Sequence, residues 1–148
     1  MREIIFRGKQ TQSGQWVTGD LWVHKEKLSA IYSYEQDKRT WVLPETVGQF
    51  TGLTDKNGKK IFEGDIVQYS IEEDQAVFVG AVKFGEFNPD GGALLNTNVG
   101  FYVELVDQEG KRTYMRKDIG FWVKFRQVKV IGNIHDNPDL LGGEEDGK

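Results

Sequence analysis

The stretch VGQFTGLTDKNGKKIFEGDIV, residues 47–67, constrains the fold more than any other part of this chain. Glycine-marked corners cut it into short apolar bursts, so no segment within it is long enough to hold a helix by periodicity. Asn57-Gly58 is a hairpin signal, because both residue types accept positive φ. Gly64-Asp65 stands immediately before the apolar run 66–71 and marks a second corner. PETVGQFTG, at 44–52, reads either as one helical turn or as an irregular link whose Val47 and Phe50 plug into the core. A phosphate cradle does not fit, since the Gly-Lys pairs lead into Lys60 and Arg112 where a Walker loop needs a hydroxyl. The stretch is a set of bends.

The same punctuation continues along the chain. Glycine makes up 18 of 148 residues, well above the usual ~7%, and it separates short runs rich in β-branched and aromatic side chains. Residues 4–7 form a first strand, and Ser13-Gly14 a turn after it. From 16 to 24 the pattern alternates. Val17, Leu21 and Val23 share one face; Trp16, Thr18, Asp20, Trp22 and His24 share the other. Runs 30–34 and 40–43 flank a charged connection, EQDKR, and Pro44 ends the second because it has no N–H for a ladder. Residues 77–84 are apolar on both faces, which marks a central strand. GEFNPDGGALLNTN is the longest loop, and 99–106 alternates again. Residues 120–126 are expected as a strand with Phe121, Val123 and Phe125 on one face. Val128 and Val130 have the opposite parity, so a bulge or break is required near 126–127. DNPDLLGG reads as a single helical turn, with Asn137 as cap, Pro138 first inside and Gly142 at its end. Short strands joined by glycine turns indicate an all-β barrel or roll.

At 148 residues the chain is read as one domain, 1–141, followed by a flexible acidic tail, 142–148. It contains no cysteine, which rules out disulfides, thiolate zinc sites and cysteine nucleophiles. The net charge of −4 is that of residues 136–148, while the 18 acids and 18 bases of 1–135 cancel. A neutral body exerts no global pull on nucleic acid. The apolar start of MREIIFRGKQ is too short for a secretory signal, and no run approaches the ~20 residues of a membrane span. A cytoplasmic chain with no membrane partner is expected.

Three blocks, in order, resemble the YopX family of bacteriophage and prophage proteins. They are FRGK at 6–9 with WVTGDL at 16–21, then LPETVGQFTGLTDKNGKKIFEGDIV at 43–67, then VIGNIHDNPDLL at 130–141. The resemblance implies a small glycine-rich SH3-type barrel or roll. It implies no enzymatic activity and brings no catalytic or binding residue with it.

Read for chemistry, the residues assign no catalytic group, metal set or cofactor. Asp20, Trp22 and His24 share a strand face, and such spacing is ordinary on an exposed strand. His135 adjoins Asp136 and Asp139 without the second histidine a metal site would want. The serines have no local base. KRTYMRKDIGFWVKFRQVK, 111–129, interleaves seven cations with aromatics against one acid. On the expected strand, Trp122, Lys124 and Arg126 share a face that suits single-stranded nucleic acid, by stacking plus phosphate contact. Trp16 and Trp22 offer a second surface, for a protein partner or a second copy, because aromatics concentrate at interface cores. The expected role is therefore a non-catalytic macromolecule-binding or oligomeric module, with nucleic-acid binding through 111–129 as the alternative.

Overall fold

A computed structural model describes residues 3–25, 28–72, 75–88, 97–106 and 118–142. The elements run β1 (Phe6–Lys9), β2 (Trp16–Lys25), β3 (Leu28–Ser33), β4 (Lys38–Val42), β5 (Gly48–Thr54), β6 (Lys60–Phe62), β7 (Asp65–Glu72), β8 (Gln75–Phe87), β9 (Asn98–Val106), α1 (Ile119–Arg126) and β10 (Lys129–Asn133). They divide into two compact units, Met1–Gly52 and Leu53–Lys148.

In the first unit the strands lie in the order β4-β3-β2-β1-β5, with antiparallel neighbours. Alternation along β2 turns Val17 and Leu21 inward, where they meet Ile31, Val42, Phe6 and Val47. Val23 has the same parity but is exposed. A Cβ on Gly19 would sit 1.8 Å from the Tyr32 carbonyl oxygen, so only glycine lets β2 and β3 approach at that point. Both expected turns are present, at 11–13 ahead of Gly14 (φ +73) and at 34–37 between β3 and β4. Residues Pro44–Thr46 form a 3-10 turn, and β5 follows with Phe50 buried. At its far end β4 returns to β1 through one isolated bridge, Gln10 to Val42.

In the second unit an antiparallel sheet has the order β10-β7-β8-β9. The central position of β8 agrees with its two-sided apolar pattern, and adjacent Ala81 and Val82 are both buried. Val103 and Leu105 of β9 join Ile61, Val67 and Val82 in the core, together with Ile119, Trp122 and Val128.

Two expectations are corrected. Residues 120–126 are not a strand but most of α1. Asp118 caps this helix, its Oδ1 accepting the Phe121 N–H at 2.9 Å, and Lys124 and Arg126 occupy the last turn, where cations suit the helix dipole. Gln127 ends it in the left-handed region (φ 50), so the parity break at 126–127 is a helix exit. Second, the described strands form open sheets and not a closed barrel. The apolar face of the second sheet is covered by Ile119 and Trp122 of α1, so closure is not needed to bury it. The C-terminal turn is Pro138–Leu141, between Asn137 and Gly142, as read from the sequence. Residues 143–148, 107–117 and 89–96 lie outside the described part; 85–87 and 98 belong to strands.

The corners carry buried carboxylates. Asp55 Oδ1 accepts the N–H groups of Asn57 (2.8 Å) and Lys59 (2.9 Å), and its Oδ2 accepts Val130 N–H across the unit at 2.9 Å. The backbone adds Asp55 N–H to Lys59 O, Gly58 N–H to Asp55 O and Lys56 N–H to Val128 O. Of Asn57-Gly58 only the glycine has positive φ (+82), so the loop is a three-residue turn closed by a left-handed glycine. Gly64 (φ +93) makes the next corner, where Phe62 N–H donates to Asp65 Oδ2 at 2.8 Å. Burial by itself would raise the Asp55 carboxyl. The bonds from Val130, Lys59 and Asn57 and the charge of Lys59 outweigh that and hold it below the usual carboxylate range.

Asp55→Ala is expected to lower the unfolding free energy by about 3 kcal/mol in urea titrations, because three backbone N–H groups lose a charged acceptor. The folded-state value is depressed, so this stabilisation is present above about pH 4 and is lost as pH falls through the folded value. The gap between wild type and Asp55→Asn should therefore narrow below about pH 4. A gap that stays constant into strong acid would refute the ionised role of Asp55.

Candidate functional site

Outward-facing residues of β2, β3 and β4 fall into cross-strand rows. Asp20 is opposite Tyr32, which is opposite Arg39; Trp22 is opposite Ala30, which is opposite Trp41. Directly opposed residues project to the same side. Since Val17, Ile31 and Val42 fill the core on the other side, both rows belong to one outer face. Ala30, small and between the two tryptophans, leaves room for their rings to come within 5.8 Å, tilted by 52°. His24 stacks on Trp22 at 5.1 Å, and the Arg39 guanidinium lies 4.2 Å from the Trp22 ring centre. Each such contact adds on the order of 1 kcal/mol. Trp22 is the hub. Trp41 remains 47% exposed and Tyr34 71%.

The same face ends in two carboxylates that phenols already occupy. The Tyr32 hydroxyl donates to Asp37 and the Tyr34 hydroxyl to Asp20, and the two rings meet edge to face at 5.2 Å. Those hydrogen bonds are the chief reason that both phenols sit above their ordinary pKa. Asp20 is thus committed to Tyr34 while His24 stacks on Trp22, and the two are not brought together as a base and its orienting acid.

Trp16 lies at the other end of β2, six residues from Trp22, or about 20 Å along a strand. Arg7 and Lys9 are over its ring, at 4.7 and 5.7 Å. Trp16 and Trp22 are therefore two patches on one strand, not a single cluster.

Trp122, Lys124 and Arg126 do not share a face. On a helix, residues two apart diverge, so Lys124 turns away from Trp122 and Arg126, while those two, four apart, stay neighbours and share Tyr69 and Phe121. Trp122 is 1% exposed and packs on Phe121 and Tyr69, at 5.2 and 6.0 Å. Arg126 covers Tyr69 and Phe121, while Lys124 lies over Phe125. A buried indole offers no platform for a base. Lys111, Arg112, Arg116 and Lys117 lie outside the described residues. Near His135, Asn133 Oδ1 accepts the N–H groups of His135 and Asp136, and no group of three or more His, Asp or Glu fit to hold a metal occurs among the described residues.

The sequence reading overlooked Trp41, Arg39 and Tyr32. The signal was the parity of the 30–34 and 40–43 runs, and using it required the hairpin register, Ser33 opposite Lys38.

Core and surface tryptophans should separate by stability. Trp122→Ala is expected to cost about 3–5 kcal/mol in chemical unfolding, and Trp41→Ala less than about 1 kcal/mol. The Trp122 indole N–H is buried with no partner, so Trp122→Phe should cost much less than Trp122→Ala. Equal losses for Trp41→Ala and Trp122→Ala would contradict these placements.

The fold is similar to the crystal structure of protein EF1440 from Enterococcus faecalis, with a TM-score of 0.52 and 20% identity over 95% of this chain and 99% of that one. No curated protein matches the chain. Residues 5–142 of the 148 match the family described as YopX protein. With the family blocks at 6–21, 43–67 and 130–141 all inside that match, the chain belongs to the YopX family.

Proposed function

We propose that this chain is a non-catalytic accessory module of phage or prophage origin, acting in the host cytoplasm by binding another protein through the outer face of β2, β3 and β4. The scaffold in this reading is an SH3-type roll, in which β4 folds back to β1 at Gln10 and Val42. One observation carries the proposal: Trp22, Trp41, His24 and Arg39 form a contiguous, solvent-facing cluster on a sheet whose other face is a packed core. Exposed aromatic patches of this kind mark interaction sites, and Trp, Tyr and Arg dominate binding hot spots. Two paired hairpins hold the rings, so little side-chain entropy is lost on docking. Nucleic acid fits less well, because the platform expected in 111–129 needs Trp122, which is buried.

The test is a Trp22→Ala/Trp41→Ala double variant, with its fold checked by circular dichroism. Wild type should retain a partner from host lysate, or self-associate in light scattering. The variant should lose about tenfold or more in either assay, as expected when a hot spot is truncated. A wild-type chain that is strictly monomeric and retains nothing, or a double variant that binds as well as wild type, sinks the reading.

A further inference from the structure

Strand β4 is an edge, and its open side is only partly used. Trp41 C=O accepts the Thr11 N–H at 3.0 Å, and Leu43 N–H donates to Lys9 C=O at 2.8 Å. Hydrogen-bonding direction alternates along an antiparallel strand. Because Trp41 directs its carbonyl away from β3, the register also turns Arg39 N–H, Arg39 C=O and Trp41 N–H to that open side. None of these three groups meets a strand among the described residues. After the Thr11 N–H the chain leaves β4 through the turn at 11–13, and a groove of 580 Å³ opens between that turn and the edge. Leu28, Val42 and Pro44 give it apolar walls. Thr40 lines it as well, with a buried hydroxyl that has no hydrogen-bond partner. Lys38 and Arg39 are its charged lining residues, and it contains no acid.

We infer that β4 accepts an extended acidic segment of another protein, which adds to the sheet as a further strand within this groove. The inference rests on the protein-binding reading above and names the class of partner. Strand addition supplies main-chain partners for Arg39 and Trp41, while alternate side chains of the guest point into the apolar groove and toward Trp41. Charge selects the occupant. A second copy pairing edge to edge would bring Lys38 and Arg39 of each chain together, and like charges across a pair are unfavourable. A guest carrying Glu or Asp beside apolar residues reverses that sign.

Fluorescence anisotropy of the full chain with a fluorescein-labelled octapeptide of alternating valine and glutamate tests the inference. Three controls accompany it: the same peptide N-methylated at alternate residues, a valine-lysine octapeptide, and labelled oligothymidine. The valine-glutamate peptide should bind with Kd below about 1 mM. N-methylation, which blocks strand addition while leaving charge intact, should weaken binding about fivefold or more, the equivalent of one or two lost hydrogen bonds. The valine-lysine peptide should be weaker by at least the same factor.

On the protein side, Arg39→Ala removes the charge and keeps the N–H, whereas Arg39→Pro also removes the outward donor without touching the β3 ladder. The proline variant should bind about fivefold or more weaker than the alanine variant. No binding of the valine-glutamate peptide, a smaller N-methylation effect, or binding of oligothymidine alone would overturn the inference. If Arg39→Pro does not fold, the N-methylated peptide decides. Lysate capture that still depends on Trp22 and Trp41 while the peptide fails would end this inference and leave the protein-binding reading standing.

Discussion

In the second unit one buried carboxylate ties the turn after β5 to β10. Asp55 is buried, and burying a charge is unfavourable unless hydrogen bonds replace its water. Three backbone N–H groups do so, two from its own hairpin and one from β10, 75 positions along the chain. Without that side chain the loop after β5 would leave donors unsatisfied, and β10 would have only Lys56 N–H to Val128 O tying it to this corner. The density of glycine and acid between Val47 and Val67 follows from this need. Glycine lets the backbone turn sharply, and the acids at 55 and 65 satisfy the N–H groups that the turns leave inside.

The first unit uses the same pleated geometry for a different end. Its inner face is a small cluster around Val17, Ile31 and Val42, sufficient to fix two hairpins in register. Its outer face then carries aromatic rings that the core does not need. Trp22 is surrounded by Arg39, His24 and Trp41, while the acids nearby are occupied by Tyr32 and Tyr34. The result is a rigid, amphipathic surface bounded by a partly open strand edge. In the protein-binding reading proposed above, this is the surface that docks.

Much of this was legible in the residues. The two faces of β2, the corners at Asn57-Gly58 and Gly64-Asp65, the central position of β8 and the terminal turn between Asn137 and Gly142 all follow from side-chain alternation and turn chemistry, although the Asn137 side chain accepts Asn133 N–H and does not cap that turn. The segment 119–126 was not legible as a helix. IGFWVKFR satisfies both periods, with 121, 123 and 125 alternating and 119, 122 and 123 spaced for a helix, and an apolar run that short does not choose. Asp118 was the available hint, a capping residue directly before the run. In the candidate site Trp22 was identified from its own strand, whereas Trp41 and Arg39 join it only through pairing across β3.

The sequence by itself determined what is local: where the chain bends, which residues of a strand share a side, and the absence of cysteine chemistry. These depend on backbone sterics and side-chain type within a few residues. Tertiary structure alone decided that Trp122 is core and not surface, that the sheets stay open, and that Trp22, Trp41 and Arg39 meet on one face. Those outcomes turn on which apolar surfaces find each other and on the register between strands, and both are energies of contact between segments distant in the chain.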